Sequence, residues 1–235
     1  MKLVTFIYKN KEKIGHISGD VDECNYTDKV YVIDISISFD YIDMIDFIKR
    51  DGINNSEIKE YIHSDKAIKY PLSEVTLTTP INPRSLRDAY AFRQHVETSR
   101  KNRGLEMIKE FDDFPVYYYS SIDGIVGPGD VKVDDIFMKN LDFELEVAII
   151  ISREGKDISC NEADDYIAGL MIMNDFSARH LQMQEMKLNL GPAKGKDFAT
   201  SIGPVIVTPQ EILDKTTKSI EKFIEPGKQT DRSTK

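Results

Sequence analysis

The run Phe143-Glu144-Leu145-Glu146-Val147-Ala148-Ile149-Ile150-Ile151 constrains this chain more than any other segment. Its apolar and β-branched residues predict a buried strand, yet two glutamates stand inside it. Side chains two apart in a strand point to the same face, so Glu144 and Glu146 share one side, and Phe143, Leu145 and Val147 are expected to pack on the other. Two like charges on one buried surface are costly unless a cation or paired bases neutralise them. A hard divalent ion bound through oxygens meets that condition, and so does an edge strand whose polar face meets water.

Around this strand the pattern is mixed. Residues 3–8 and 13–18 read as strands about a turn at Lys9 to Lys13, and Val30-Tyr31-Val32-Ile33 as a third. Helices are predicted near 42–50 and 56–63, separated by Asp51-Gly52-Ile53-Asn54-Asn55, and Val75 to Thr78 as a strand. Pro80 to Pro83 marks a boundary, which sets off an N-terminal module at residues 1–79. Beyond it, Arg84 to Arg100 reads as a polar helix, and residues 114–126 as strands and turns bounded by Gly127-Pro128-Gly129-Asp130. Glu162 to Ile167 reads as a helix, Gly169 to Met173 as a strand and Ser177 to Leu188 as a helix. There is no strict βαβ rhythm and no repeat of solenoid length, so the expected class is α+β. The second domain is expected over residues 80–225, and the polar tail 226–235 is expected to be disordered.

The charge balance is acidic, 31 Lys and Arg against 40 Asp and Glu, a formal net charge of -9. That argues against nucleic acid or an anionic membrane as partner, while a small anionic substrate is compatible if a cation meets it in the site. The two cysteines, Cys24 and Cys160, lie far apart without metal or disulfide spacing, which fits a reducing cytoplasm. The apolar start breaks into Lys9-Asn10-Lys11-Glu12-Lys13 before a signal-peptide core is complete, and no apolar run approaches the ~20 residues of a membrane span. The expectation is a soluble protein that is not exported.

Three further segments can carry chemistry. Met171-Ile172-Met173-Asn174-Asp175-Phe176-Ser177-Ala178-Arg179 joins a strand to a helix, where Asp175 is either an ordinary N-cap or a functional carboxylate. Arg87-Asp88-Ala89-Tyr90-Ala91-Phe92-Arg93-Gln94-His95 packs acid, phenol, guanidinium and imidazole together; on a helix Asp88 and His95 would share a face, solvated or functional. In Leu190 to Thr200, glycines permit close backbone approach and a lysine can hold a carboxylate or oxyanion, without the spacing of a P-loop. No GxSxG, HExxH or GxGxxG pattern is present, and neither cysteine has a nearby histidine, so covalent catalysis is the weaker reading.

In combination these segments resemble the fumarylacetoacetate hydrolase family. The resemblance runs from about Arg84 to Val207 and rests on four ordered motifs. They are Asp88-x-Tyr90-x-x-x-x-His95, Glu144-x-Glu146, Asn174-Asp175-Phe176-Ser177-Ala178-Arg179 with Gln182, and Gly195-Lys196-Asp197-Phe198-Ala199-Thr200. The resemblance implies a mixed β-roll or β-sandwich of the fumarylacetoacetase C-terminal type, with a small N-terminal α/β module. It implies Mg²⁺, or Ca²⁺ or Mn²⁺, held by Asp88, Glu144, Glu146 and Asp175, with Lys196 and Thr200 beside the metal. His95 is implied as the base that activates water, with Glu97 as the nearest acid to pair with it. Tyr90, Tyr118, Gln182 and Arg103 are implied to contact substrate. The implied reaction is hydrolysis of a carbon-carbon bond in an acylpyruvate or related β-diketo acid, and relatives include decarboxylases, isomerases and sugar-acid dehydratases. A homodimer is implied as well. Relatives continue for several strands that the residues before Lys235 do not resemble, so a truncated homologue that binds metal or a partner subunit is an alternative, with exposed apolar surface expected.

Overall fold

The computed structural model describes residues 1–19 and 30–223. Twelve strands lie among them: β1 (Lys2–Tyr8), β2 (Lys11–Ser18), β3 (Tyr31–Asp34), β4 (Lys69–Pro71), β5 (Thr76–Leu77), β6 (Leu86–Asp88), β7 (Tyr118–Ser120), β8 (Ile125–Val126), β9 (Leu141–Ile151), β10 (Ile167–Ala178), β11 (Thr200–Ile202) and β12 (Ile206–Val207). The helices are α1 (Ser36–Phe39), α2 (Met44–Lys49), α3 (Ser56–His63), α4 (Arg93–Asn102), α5 (Asp135–Met138), α6 (Arg179–Glu185) and α7 (Pro209–Phe223). The chain forms two compact units, one of residues 1–81, 147–172 and 203 onward, the other of residues 82–146 and 173–202. Cys24 and the tail from Pro226 lie outside the described residues, and Cys160 is an exposed free thiol. No helix among the described residues is long and apolar enough to cross a membrane.

In the first unit the strands pair antiparallel in the order β4, β3, β2, β1, β12, β10, with β5 also on β1. Residues 1–81 therefore share their unit with later strands, because β1 pairs with β12 and β12 with β10. The first turn is tighter than the five residues expected. Lys9 and Asn10 alone make it, both at positive φ of 48° and 60°, the pair that matches the twist of a two-residue hairpin. Val4, Phe6, Ile17, Val30 and Val32 form a core cluster, and Phe47 and Ile58 from α2 and α3 are fully buried. Each such side chain contributes roughly 1.5–3 kcal/mol on burial. Asp43 and Asn55 start the two helices by accepting the N–H groups of Asp46 and of Glu57 and Ile58. The buried Asp34 is compensated by Lys13 at 2.6 Å and the Ser36 hydroxyl at 2.7 Å.

Residues 84–178 depart from the sequence expectations in three places. Arg84 to Arg100 is not one helix: Leu86, Arg87 and Asp88 pair antiparallel with Ser120, Tyr119 and Tyr118, and the helix begins only at Arg93. Asp88 and His95 therefore share no helix face. The strand expected to end at Met173 runs on to Ala178, because Asn174 and Asp175 are paired with Ser201 and Thr200 of β11. Asp175 is thus a strand residue and not a helix cap. Finally, β9 alternates as predicted, but Phe143, Leu145 and Val147 are 64%, 72% and 62% exposed instead of packed. In addition, β11 pairs parallel with β8, whereas the other pairs described are antiparallel.

Candidate metal centre

Strand ends and strand faces of the second unit bring the carboxylates together. Asp88 ends β6, Glu144 and Glu146 share a face of β9, and Asp175 lies in β10 directly opposite Thr200. One oxygen from each of Asp88, Glu144, Glu146 and Asp175 lies within 4.8 Å of the others. Lys196, itself only 5% exposed, places its Nζ 2.5 Å from Glu144 Oε2 and 2.6 Å from Asp175 Oδ2. The Tyr118 hydroxyl is 2.7 Å from Asp88 Oδ2 and 2.8 Å from Asp175 Oδ2. It has one proton, so it donates to one carboxylate at a time.

The charges are unevenly served. Burial opposes ionisation of Glu144, but Lys196 and Arg179 outweigh it and hold this carboxyl below its ordinary range. Burial likewise raises Asp175, against the opposing pull of Lys196 and Tyr118. Glu146 has no hydrogen bond or ion pair among the described residues, and burial followed by Asp88, Asp175 and Glu144 pushes it up to about 7. Tyr118 is held in its neutral form by burial and by the neighbouring Asp175 and Asp88. Lys196 serves Glu144 and Asp175 and Arg179 serves Glu144, so four carboxylates against two cations leave a deficit of positive charge at Glu146, which pairs with no described residue. A hard divalent cation fits that oxygen-only donor set.

The other expected residues are placed differently. His95 is exposed on α4 and its ring makes no hydrogen bond among the described residues. Glu97 accepts from Arg93 Nη1 at 3.2 Å, and two residues apart on a helix it does not face His95. Arg103 donates to Ser99 Oγ at 2.8 Å, and Tyr90, half-exposed, stacks on Phe111. None of these contacts joins the four residues to the carboxylates. Gln182 accepts from Arg179 Nη1 at 3.0 Å. That arginine lies in the Asn174 to Arg179 motif but has no role in the sequence reading; its Nη2 is 2.6 Å from Glu144 Oε1 and its Nε 2.9 Å from Asp142 Oδ2. The alternation that pairs Glu144 with Glu146 extends to Asp142, which was the available signal.

Residues 85–234 match the family model described as fumarylacetoacetate (FAA) hydrolase C-terminal. A fumarylacetoacetase of Aspergillus fumigatus is 32% identical over 193 residues, 72% of this chain and 44% of that protein. An oxaloacetate tautomerase of Bacillus subtilis is 31% identical over 155 residues, 65% of this chain and 49% of that protein. The chain thus spans about half the length of these relatives. Among solved structures, a fumarylacetoacetate hydrolase from Exiguobacterium antarcticum superposes with a TM-score of 0.61 at 23% identity, covering 88% of this chain and 66% of that one. A maleylpyruvate hydrolase from Sphingobium sp. SYK-6 gives 0.60 at 18% identity, covering 89% and 68%. These two likenesses establish a common fold.

Proposed function

The chain belongs to the fumarylacetoacetate hydrolase family, and from that premise we propose that it is a divalent-metal-dependent enzyme hydrolysing a carbon-carbon bond in an acylpyruvate or related β-diketo acid. The observation that supports this most directly is the set of four carboxylate oxygens within 4.8 Å of one another. Asp88, Glu144, Glu146 and Asp175 are the residues to hold Mg²⁺, or Ca²⁺ or Mn²⁺, with Thr200 beside Asp175. When bound, the ion supplies a Lewis acid that polarises a keto oxygen and favours the adjacent enolate. Lys196 offers its ammonium to the oxyanion that develops when water adds to the carbonyl carbon. His95 takes the proton of that water at a ring nitrogen; Glu97, the acid expected to pair with it, is held by Arg93 and would have to leave that pair to support the imidazolium. The bond between the hydrated carbonyl carbon and the α-carbon then breaks, its electron pair stays on the α-carbon of the leaving enolate, and the proton taken up by His95 is returned to that carbon. Tyr90, Tyr118, Gln182 and Arg103 are assigned to the substrate. A homodimer is part of the proposal, supported by the exposed Phe143 and Leu145, and a reducing cytoplasm fits the free thiol of Cys160.

A second reading, tautomerisation of a small keto acid, is favoured by the separate pairing of Glu97 with Arg93, since that reaction needs no activated water. Purified protein with Mg²⁺ is to be offered an acylpyruvate series and oxaloacetate. Hydrolysis abolished by both Glu146→Gln and His95→Ala supports the first reading. Tautomerisation lost in Glu146→Gln and kept in His95→Ala supports the second. Full activity of Glu146→Gln on either substrate refutes the metal assignment.

A further inference from the structure

We propose that Glu185 is a positioning residue that seats Lys196 among the carboxylates by clamping the backbone of the loop that carries it. The proposal rests on the role given above to Lys196. Glu185 is the last residue of α6, and it points back over residues 191–196. Its Oε1 accepts the Ala193 N–H at 2.5 Å and its Oε2 accepts the Gly195 N–H at 2.7 Å. Hydrogen bonds to an ionised acceptor are about twice as strong as neutral ones, so this two-pronged grip holds the loop backbone more firmly than a neutral backbone pair would.

Further backbone groups of the loop are also paired. The Gly195 carbonyl accepts from Ala178 N–H at 2.8 Å, and the Ala193 carbonyl accepts from both Lys196 N–H and Asp197 N–H at 2.8 Å. The glycines are needed for this seat. A Cβ on Gly195 would lie 2.7–2.8 Å from Gln182 atoms, backbone included, and Gly191 combines φ +94° with a Cβ position 2.4 Å from Glu185 Oε1. One peptide unit separates the clamped Gly195 amide from the Cα of Lys196, whose ammonium reaches Glu144 and Asp175. Glu185 forms no hydrogen bond or ion pair with the four carboxylates. It acts only by fixing where the lysine starts from.

Glu185→Gln keeps the shape of the side chain but replaces one acceptor oxygen by a donor, so one of the two loop amides loses its partner. The decisive readout is the rate of amine acetylation in the metal-free protein, resolved by peptide mass spectrometry. Lys196 is buried and ion-paired, whereas Lys194 in the same loop is exposed and serves as internal standard. Lys13, paired with Asp34 in the other unit, reports general loosening. The expected result is labelling of Lys196 faster by about tenfold, with Lys194 and Lys13 unchanged, and a Kd for Mn²⁺ raised by about tenfold, the range of outer-shell partners. Gly195→Ala attacks the same seat from the α6 side and is expected to give the same pattern. Labelling of Lys196 at the wild-type rate in both variants overturns the proposal, and so does an equal rise at Lys13. Selective labelling of Lys196 with no Mn²⁺ binding by the wild-type protein supports the clamp while refuting the metal reading.

Discussion

Replacing Glu146 by glutamine removes a half-buried carboxylate that no described residue pairs with. A carboxyl raised from 4.5 to about 7 places a penalty of at most about 3 kcal/mol on its charged form. Because the side chain is about half exposed to water, screening reduces this to about 1–2 kcal/mol. The direction follows from linkage: Glu146 is neutral in folded and unfolded protein below about pH 4.5, and the folded state loses stability as pH rises through about 7. In EDTA, Glu146→Gln should therefore match the wild type near about pH 4.5 and melt about 2–8 °C higher near about pH 8. With divalent ion present the order should invert. A ligand at about 100 times its Kd stabilises by about 2.7 kcal/mol, and the variant replaces one of the four carboxylates by a neutral amide, a weaker ligand for a hard cation. Scanning calorimetry of both proteins at the two pH values, with EDTA and with Mn²⁺, reads all four conditions. A variant that melts lower than wild type in EDTA at the higher pH refutes the reasoning, as does a difference that is independent of pH.

Two other substitutions test neighbouring parts of the argument. Lys196→Met leaves the buried Asp175 and the half-buried Glu144 without their shared cation, which should cost about 3 kcal/mol in urea unfolding without metal, and an unchanged midpoint would show that the pair is not formed. His16 is buried, and desolvation with help from the N-terminal ammonium and Lys2 lowers it to about 4. The unfolded chain then binds a proton between about 6.5 and 4 that the folded chain refuses, so stability present above pH about 6.5 is lost as pH falls toward about 4. His16→Gln should flatten that acid limb, and an unaltered limb in acid titration of the variant would assign the loss to other groups.

The elements best read from the sequence are those whose own residues decide them. Asp43 and Asn55 cap α2 and α3, and the β-branched run of β9 has no helical competitor. The errors fall where a distant partner decides. Arg87 to His95 has the composition of a helix, yet residues 86–88 take strand form because residues 118–120 pair with them. Asp175 and Ser177 have the chemistry of caps, yet the ladder to β11 holds Asp175 in the strand. Local propensity carries no information about a pairing of that sequence separation.

The same strand shows how far an alternating pattern reaches into the site. Parity along β9 places Glu144 and Glu146 on one face whatever surrounds them, and it also places Asp142 there, within reach of Arg179. What parity does not contain is the identity of the neighbours. Lys196 reaches Glu144, 52 residues earlier, from a loop pinned to α6, and Glu146 receives no such partner among the described residues, although the two residues are equivalent by pattern. Phe143 and Leu145 make the same point from the opposite face: alternation establishes that they lie together, and their exposure is decided by what else covers the strand. The chemistry of this site therefore resides in an inequality between two glutamates that their spacing makes look alike. Glu144 is held ionised by two cations, and Glu146, raised to about 7 by burial and by its acidic neighbours, has no cation paired with it among the described residues.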